Sequence, residues 1–175
     1  SQIPLIAGRI AAVRAHREDS DREATNRLAA RSHQFGEVRH QDGIALLVPL
    51  HTSENREYIP IGFITSSAII TNSAIAVYQA EPGVFGIISS KMHMVWSRAV
   101  AGGLETRVRY SSSICYNNFP FPELNAVQRK RIADCAEAVL IAREHHPEKT
   151  IAWLYDPDTM PADLIAAHRA LDEAV

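Results

Sequence analysis

IALLVPLHTSENREYIPIGFI, residues 44–64, changes character twice, and that change sets the fold class. Residues 44–48 form a continuous apolar run of strand length. They read as a buried β-strand closed by Pro49, which has no N–H to offer a sheet ladder. Residues 58–64, rich in β-branched and aromatic side chains, read as a second strand. HTSENRE (51–57) lies between them without apolar periodicity and reads as a surface loop. Further on, residues 68–71 and 74–79 read as two more short strands, joined by a turn at Asn72-Ser73.

On both sides of this block the period becomes helical. Ile3, Leu5, Ile6, Ile10, Ala11 and Val13 predict a helix over 3–18. Ser20 and Glu23 have the spacing of a capping box and predict a second helix to about Ala30. Val84, Ile87, Ile88, Met92, Val95, Trp96 and Ala99 predict one helix over 84–100, ended by Gly102 and Gly103 in the left-handed conformation. Residues 104–116 read as extended, and Pro120 and Pro122 interrupt regular structure. Asn125 with Gln128 predicts a capped helix to about His145, and Pro161 opens a last helix to Asp172. The expected fold is α+β. A mixed β-sheet body with packed helices occupies 1–122, and a helical C-terminal region occupies 123–175.

Composition narrows the function classes. The chain has 175 residues, of which 46% are hydrophobic and 22% charged, which excludes a disordered tail and a disulfide-stapled mini-protein. Its net charge of −2 divides unevenly: residues 1–110 hold 12 basic and 10 acidic side chains, residues 111–175 hold 6 and 10. A polyanion would therefore meet the first part, through a local patch and not a global field. Arg outnumbers Lys 15 to 3, which suits bidentate recognition of phosphate or guanine. Cys115 and Cys135 lack the spacing of a zinc site and fit a reducing, cytoplasmic setting. No run reaches the roughly 18 apolar residues of a transmembrane helix, and no leader pattern is present, so no membrane partner is expected. Ser1 stands where a start methionine would be, and the chain reads as a segment of a longer protein.

No catalytic constellation is expected within these residues. Neither G-x-G-x-x-G nor G-x-x-x-x-G-K-[ST] occurs. Asn117-Asn118-Phe119-Pro120 looks like the Asn-Pro-Pro-aromatic motif of amino-methyltransferases, but its two prolines are not adjacent. Cys115 with His93 would make a thiol hydrolase only if the fold joined them, and Cys115 reads as structural. His145 and His146 read as a solvated helix end and not as metal ligands, since neighbours on a helix point apart. What remains is recognition chemistry. His51, Thr52, Ser53, Glu54, Asn55 and Arg56 offer the donors and acceptors that read base edges. Lys91, Arg98, Arg107 and Arg109, with Tyr110 and the hydroxyls of 111–113, are the types that contact phosphates. A competing reading is a protein-interaction or structural module that docks the domains of a larger protein through the acidic helical tail.

Three blocks carry a family resemblance: VPLHTSENREYIPIGFI, VFGIISSKMHMVWSRAVAGGLETRVRYSSSICYNNFPFPELNAVQRKRI and TIAWLYDPDTMPADLIAAHRALDEAV. Together they resemble the C-terminal part of the MmeI-type (Type IIL) restriction–modification proteins and their stand-alone adenine methyltransferase relatives. The resemblance spans nearly the whole chain and is strongest over 48–122. It implies a DNA target-recognition domain followed by a short helical C-terminus. It also implies that double-stranded DNA and the methyltransferase domain of the same polypeptide are the partners. S-adenosylmethionine, with or without a nuclease, is then expected in the parent and no cofactor in this segment. In that family paired acidic and basic side chains two residues apart in loops carry specificity. Glu54 and Arg56 match that spacing, with Arg39, His40 and Asp42 as substitutes. The net charge of −2 predicts weak DNA binding by the segment alone, about 10⁻⁴–10⁻⁶ M.

Overall fold

β1 (Ala45–Pro49) is the middle strand of a three-stranded antiparallel sheet in the order β3–β1–β4, with β3 at Gly62–Ile64 and β4 at Ala74–Tyr78. Leu46 pairs with Phe63 on one side and Val77 on the other, and Leu46 and Val48 are fully buried. The computed structural model describes residues 3–65, 67–104 and 106–175. Within them the chain is α+β and forms two compact units, residues 1–40 and residues 41–175.

Several expected elements change once partners are counted. The strand expected over 58–64 is formed only at its end. Pro60 cannot donate to a ladder, and the Ile61 N–H turns back to the Ile59 carbonyl at 2.8 Å. Tyr58, Ile59 and Ile61 are nonetheless buried, as anchors from an irregular segment. Residues 68–71 form no strand with any described residue, and Ile69 stays exposed. A second antiparallel sheet, β2–β6–β5, was not expected; it unites β2 (His51–Thr52), β5 (Gly102–Leu104) and β6 (Arg107–Arg109). Gly102 and Gly103 are thus strand residues and not a helix cap. Residues 112–116, expected to be extended, form one turn of π-helix, Ser112–Tyr116.

The helix expected over 84–100 is two helices, α3 (Pro82–Ile88) and α4 (Lys91–Val100). The Ser89 hydroxyl donates to the Phe85 carbonyl at 2.6 Å and the Ser90 hydroxyl to the Ile87 carbonyl at 2.7 Å. The Phe85 carbonyl also keeps its helical bond from the Ser89 N–H at 2.9 Å. The Ile87 carbonyl, which a continuing helix would offer to the Lys91 N–H, takes the Ser90 hydroxyl, and the Lys91 N–H goes to Asp172. Ser90 then caps α4 by accepting from the His93 N–H.

The C-terminal region supplies α5 (Ala126–Glu144), α6 (Ile151–Leu154) and α7 (Ala162–Ala174). The Asn125–Gln128 capping box of α5 is formed in both directions, each bond 3.0 Å. Ile132, Ala136, Val139, Leu164 and Leu171 share one apolar cluster with Leu46, Val48, Phe85 and Ile88. The sheet and the C-terminal helices therefore have a common core. A polar chain of contacts runs beside it. Arg143 donates to the Ile61 carbonyl at 2.7 Å and to the Tyr155 hydroxyl. Because an arginine only donates, the Tyr155 hydroxyl gives its own proton to His168 Nε2, 2.7 Å away. His168 stacks on Tyr58 at 4.0 Å, and the Tyr58 hydroxyl donates to Asp172, whose other oxygen accepts the Lys91 N–H.

In residues 1–40, α1 (Pro4–Glu18) is as expected. The predicted Ser20–Glu23 box is absent: Ser20 instead accepts from the Arg22 N–H, and α2 (Glu23–Asn26) lasts one turn before a 3₁₀ turn at Ala29–Arg31. Side-chain bonds to carbonyls hold this unit. Arg17 reaches those of Leu28, Arg31 and Gln34, and Asn26 those of Arg17, Glu18 and Ser20.

Two predictions follow from the core of residues 41–175. A Cβ added at Gly86 would lie 2.9 Å from Ile132, 3.2 Å from Ala136 and 3.3 Å from Leu171. Overpacking costs about 1–3 kcal/mol and the gain in helix propensity returns about 1 kcal/mol, so Gly86→Ala lowers the urea midpoint. An unchanged midpoint would mean that α3 does not approach α5 and α7 this closely. Burial lowers the pKa of His93 to about 4 and of His168, with help from the Arg143 charge, to about 3. Both are neutral when folded, whereas the unfolded imidazoles protonate below about pH 6.5. Stability is therefore intact above pH 6.5 and falls below it by about 1.4 kcal/mol per pH unit per histidine, levelling off below the folded values. Urea unfolding between pH 7 and 4 reads this slope, and a flat profile contradicts it.

Candidate nucleic-acid interface

The polar stretch 51–57 splits into two parts. His51 and Thr52 pair with Arg109 and Val108 of β6, so the stretch opens as an edge strand. Thr52 faces inward and is buried. Residues 53–56 then turn back: the Arg56 N–H donates to the Ser53 carbonyl at 3.3 Å and the Asn55 N–H to the Ser53 hydroxyl at 3.3 Å. Glu54 and Asn55 stand exposed at the tip.

The neighbouring ribbon of β5 and β6 presents arginines on the same side. Val108 points into the protein, so the alternation of a strand puts Arg107 and Arg109 outward. Gly102 lies opposite Arg109 and Gly103 opposite Val108, so β5 places no side chain beside Arg109. The outer face of the sheet thus carries His51, Arg107 and Arg109 as a basic surface next to the 53–57 turn.

Turn and ribbon are tied together. The Thr106 hydroxyl donates to Glu54 Oε1 at 2.6 Å. Arg98, from α4, donates to the Glu54 carbonyl at 2.8 Å and to the Arg56 carbonyl at 2.7 Å. The Thr106 bond above all, then a hydrogen bond from Glu54's own backbone N–H and, more weakly, the Arg107 charge hold the Glu54 carboxyl below the usual carboxylate range, so it stays an acceptor. A shallow groove of about 250 Å³ runs between Glu54, Arg98 and Arg107.

The candidate residues fall into three groups. Glu54, Asn55, Arg56, Ser53, Arg107 and Arg109 share this edge, with Arg56 also reaching the Ala152 carbonyl at 3.4 Å. Arg98 grips protein carbonyls, and Lys91 forms an ion pair with Glu57. Of the substitutes, Arg39 and His40 belong to the unit of residues 1–40 and Asp42 to that of residues 41–175. Arg39 pairs with Glu37 at 2.6 Å, and the partly buried His40 has no partner for Nδ1. Exposed Asp42 precedes Gly43, whose φ of 113° belongs to glycine.

The thiol reading of Cys115 finds no support. Cys115 is fully buried with its Sγ accepting the Ser111 N–H, and His93 Nε2 is bonded to the Tyr110 hydroxyl at 2.9 Å. His145 and His146 do not point apart. The helix ends at Glu144, and the turn beyond it lets His145 (3.3 Å) and His146 (3.0 Å) both reach Asp163. Asp163 is held below the usual range chiefly by His146. Sequence reasoning missed Thr106 as a member of the site and placed His51 in a loop and not on a strand; the alternation around Val108 was the only local signal for the ribbon.

A rigid core that holds an edge of mixed donors, acceptors and arginines defines a recognition module. Residues 1–123 match the target recognition domain of MmeI and residues 124–175 the MmeI C-terminal domain, and the chain belongs to this family. It is 41% identical over 172 residues to DNA methyltransferase A of Bacillus subtilis (strain 168), covering 98% of this chain and 20% of that protein. The solved structure of the Type IIL restriction–modification enzyme MmeI in complex with DNA superposes with a TM-score of 0.95 at 42% identity. That match covers 99% of this chain and 23% of that one.

Replacing Thr106 by Val removes the largest influence on Glu54, so the Glu54 carboxyl titrates at higher pH, closer to an ordinary glutamate. A carboxyl-carbon NMR titration reads the change, and an unaltered curve means that the bond to Thr106 does not form in solution.

Proposed function

We propose that this chain reads double-stranded DNA for a longer adenine-N6 methyltransferase or restriction–modification enzyme acting in the cytoplasm, and positions the site for a catalytic domain of the same polypeptide. One observation carries the reading: the 53–57 turn and the arginine face of β6 form a single edge, locked by Thr106 and Arg98. A two-stranded ribbon of this kind fits the major groove, where base pairs are distinguishable. The relationship to the MmeI enzyme solved with DNA and to a DNA methyltransferase supports the same assignment. Glu54 accepts from an exocyclic base amine and Arg56 donates to guanine, with Ser53 and Asn55 beside them. Arg107 and Arg109 meet the duplex from the ribbon. Arg98 fixes the turn, and Lys91 acts at the margin through its pairing with Glu57. The methyl donor, S-adenosylmethionine, belongs to the catalytic part, into which the target adenine is flipped.

The test is made on the full-length protein in a host free of DNA methylation. Genome-wide mapping of modified adenines yields one asymmetric motif for the wild type. Glu54→Lys combined with Arg56→Asp changes that motif at one base pair. Absence of adenine modification in the wild type overturns the reading, and an unchanged motif in the folded double variant removes Glu54 and Arg56 from base reading. Arg109→Ala lowers the slope of log affinity against log salt by about 0.9 if Arg109 contacts one phosphate.

A further inference from the structure

The unit formed by residues 1–40 has almost no interior. Among its described apolar residues only Ala29 is buried, and α1 buries no residue at all. Leu5 is 82% exposed, Ile6 46%, Val13 39%, Phe35 76% and Val38 75%. Below about 40 residues a chain rarely holds its fold without a staple or a partner surface, and a lone 15-residue helix is marginal in water.

Along α1, Ile6 and Val13 are exposed and Ile10 is half-buried. Ile6, Ile10 and Val13 follow the i, i+4, i+7 spacing of a stripe that packs on another protein element. Arg17 continues the stripe but turns onto the carbonyls of residues 28–34, so the C-terminal turn is occupied within the unit. α1 carries Arg9, Arg14 and Arg17 against one acid, Glu18. On the helix Arg9 and Arg14 flank the stripe on opposite sides.

We infer that the Ile6–Ile10–Val13 stripe of α1 docks into an apolar groove with an acidic rim on the methyltransferase part of the parent polypeptide. This rests on the reading of the chain as part of such an enzyme. Three considerations select the occupant. The chain spans one fifth of the methyltransferase it matches, which leaves four fifths of that protein to supply the surface. A second copy would bring arginine-flanked stripes face to face, and a stripe of two turns is too short for a coiled coil, which needs three or four heptads. A DNA backbone attracts the arginines but gains nothing from an isoleucine and valine stripe, whose burial stabilises only against apolar surface.

The experiment places p-benzoylphenylalanine at position 13 of the full-length protein, irradiates it without and with a duplex oligonucleotide, and maps the adduct by mass spectrometry. The expected result is an intramolecular adduct on a peptide of the methyltransferase part, formed without DNA and independent of protein concentration. Ile6→Glu in the same protein cuts its yield at least tenfold, while amide-exchange protection of residues 45–49 is unchanged. An adduct on residues 41–175, on a second copy or on DNA overturns the inference, as does no adduct above background. The wild-type methylation map separates the two failures. A protein that modifies adenines at one motif but gives none of the expected adduct loses the docking assignment alone. A protein that modifies none loses the functional reading.

Discussion

The Arg143–Tyr155–His168 chain, continued by the stack of His168 on Tyr58 and the Tyr58–Asp172 bond, is the constraint on which the rest of residues 41–175 depends. It joins groups from α5, the segment after α6, α7 and the irregular segment that follows the recognition turn. Each member needs the next. Without Tyr155 a half-buried guanidinium loses a partner, and without His168 the buried Tyr155 hydroxyl loses its acceptor. Buried polar networks of this sort are costly when partly satisfied, which favours one arrangement of the helices over others.

This network explains why the edge built by residues 51–57 and β6 and a helical C-terminus share one core. Residues 58–61 have no ladder to hold them, since Pro60 denies it. They are held instead by burial of Tyr58, Ile59 and Ile61, by the Arg143 bond to the Ile61 carbonyl and by Asp172. Asp172 also accepts the first N–H of α4, so α7 orients the helix from which Arg98 reaches the turn. The path from α7 to Glu54 thus passes through side chains with hydrogen bonds of ordinary length. The 53–57 turn is in this way held in place by the protein itself.

Charge is arranged locally against a weakly acidic whole. The segment after residue 110 holds all of the excess acid, whereas His51, Arg107 and Arg109 stand together on one outer sheet face. Glu54 sits among them as an ionised acceptor because Thr106 and Arg107 favour its charged form. The edge therefore sets one carboxylate acceptor among outward-facing arginines.

Much of this was legible from local signals. The apolar run of β1, the Asn125–Gln128 box of α5, Pro161 before α7 and the polarity of 53–57 each depend on neighbours a few residues away, and each is present in the fold. The family was legible too, because long ordered blocks carry it. Tertiary structure alone decided what depends on distant partners. The Ser89–Ser90 break looks apolar-periodic until the hydroxyl bonds are counted. β2 exists only because β6, more than fifty residues later, pairs with it. Arg98 looks like any exposed cation, and its role as the clamp of the turn follows from carbonyls 44 and 42 residues away. Sequence spacing determines which groups a short element can present, but the partner that completes a sheet edge, a buried hydroxyl or a clamp is chosen by the packed chain.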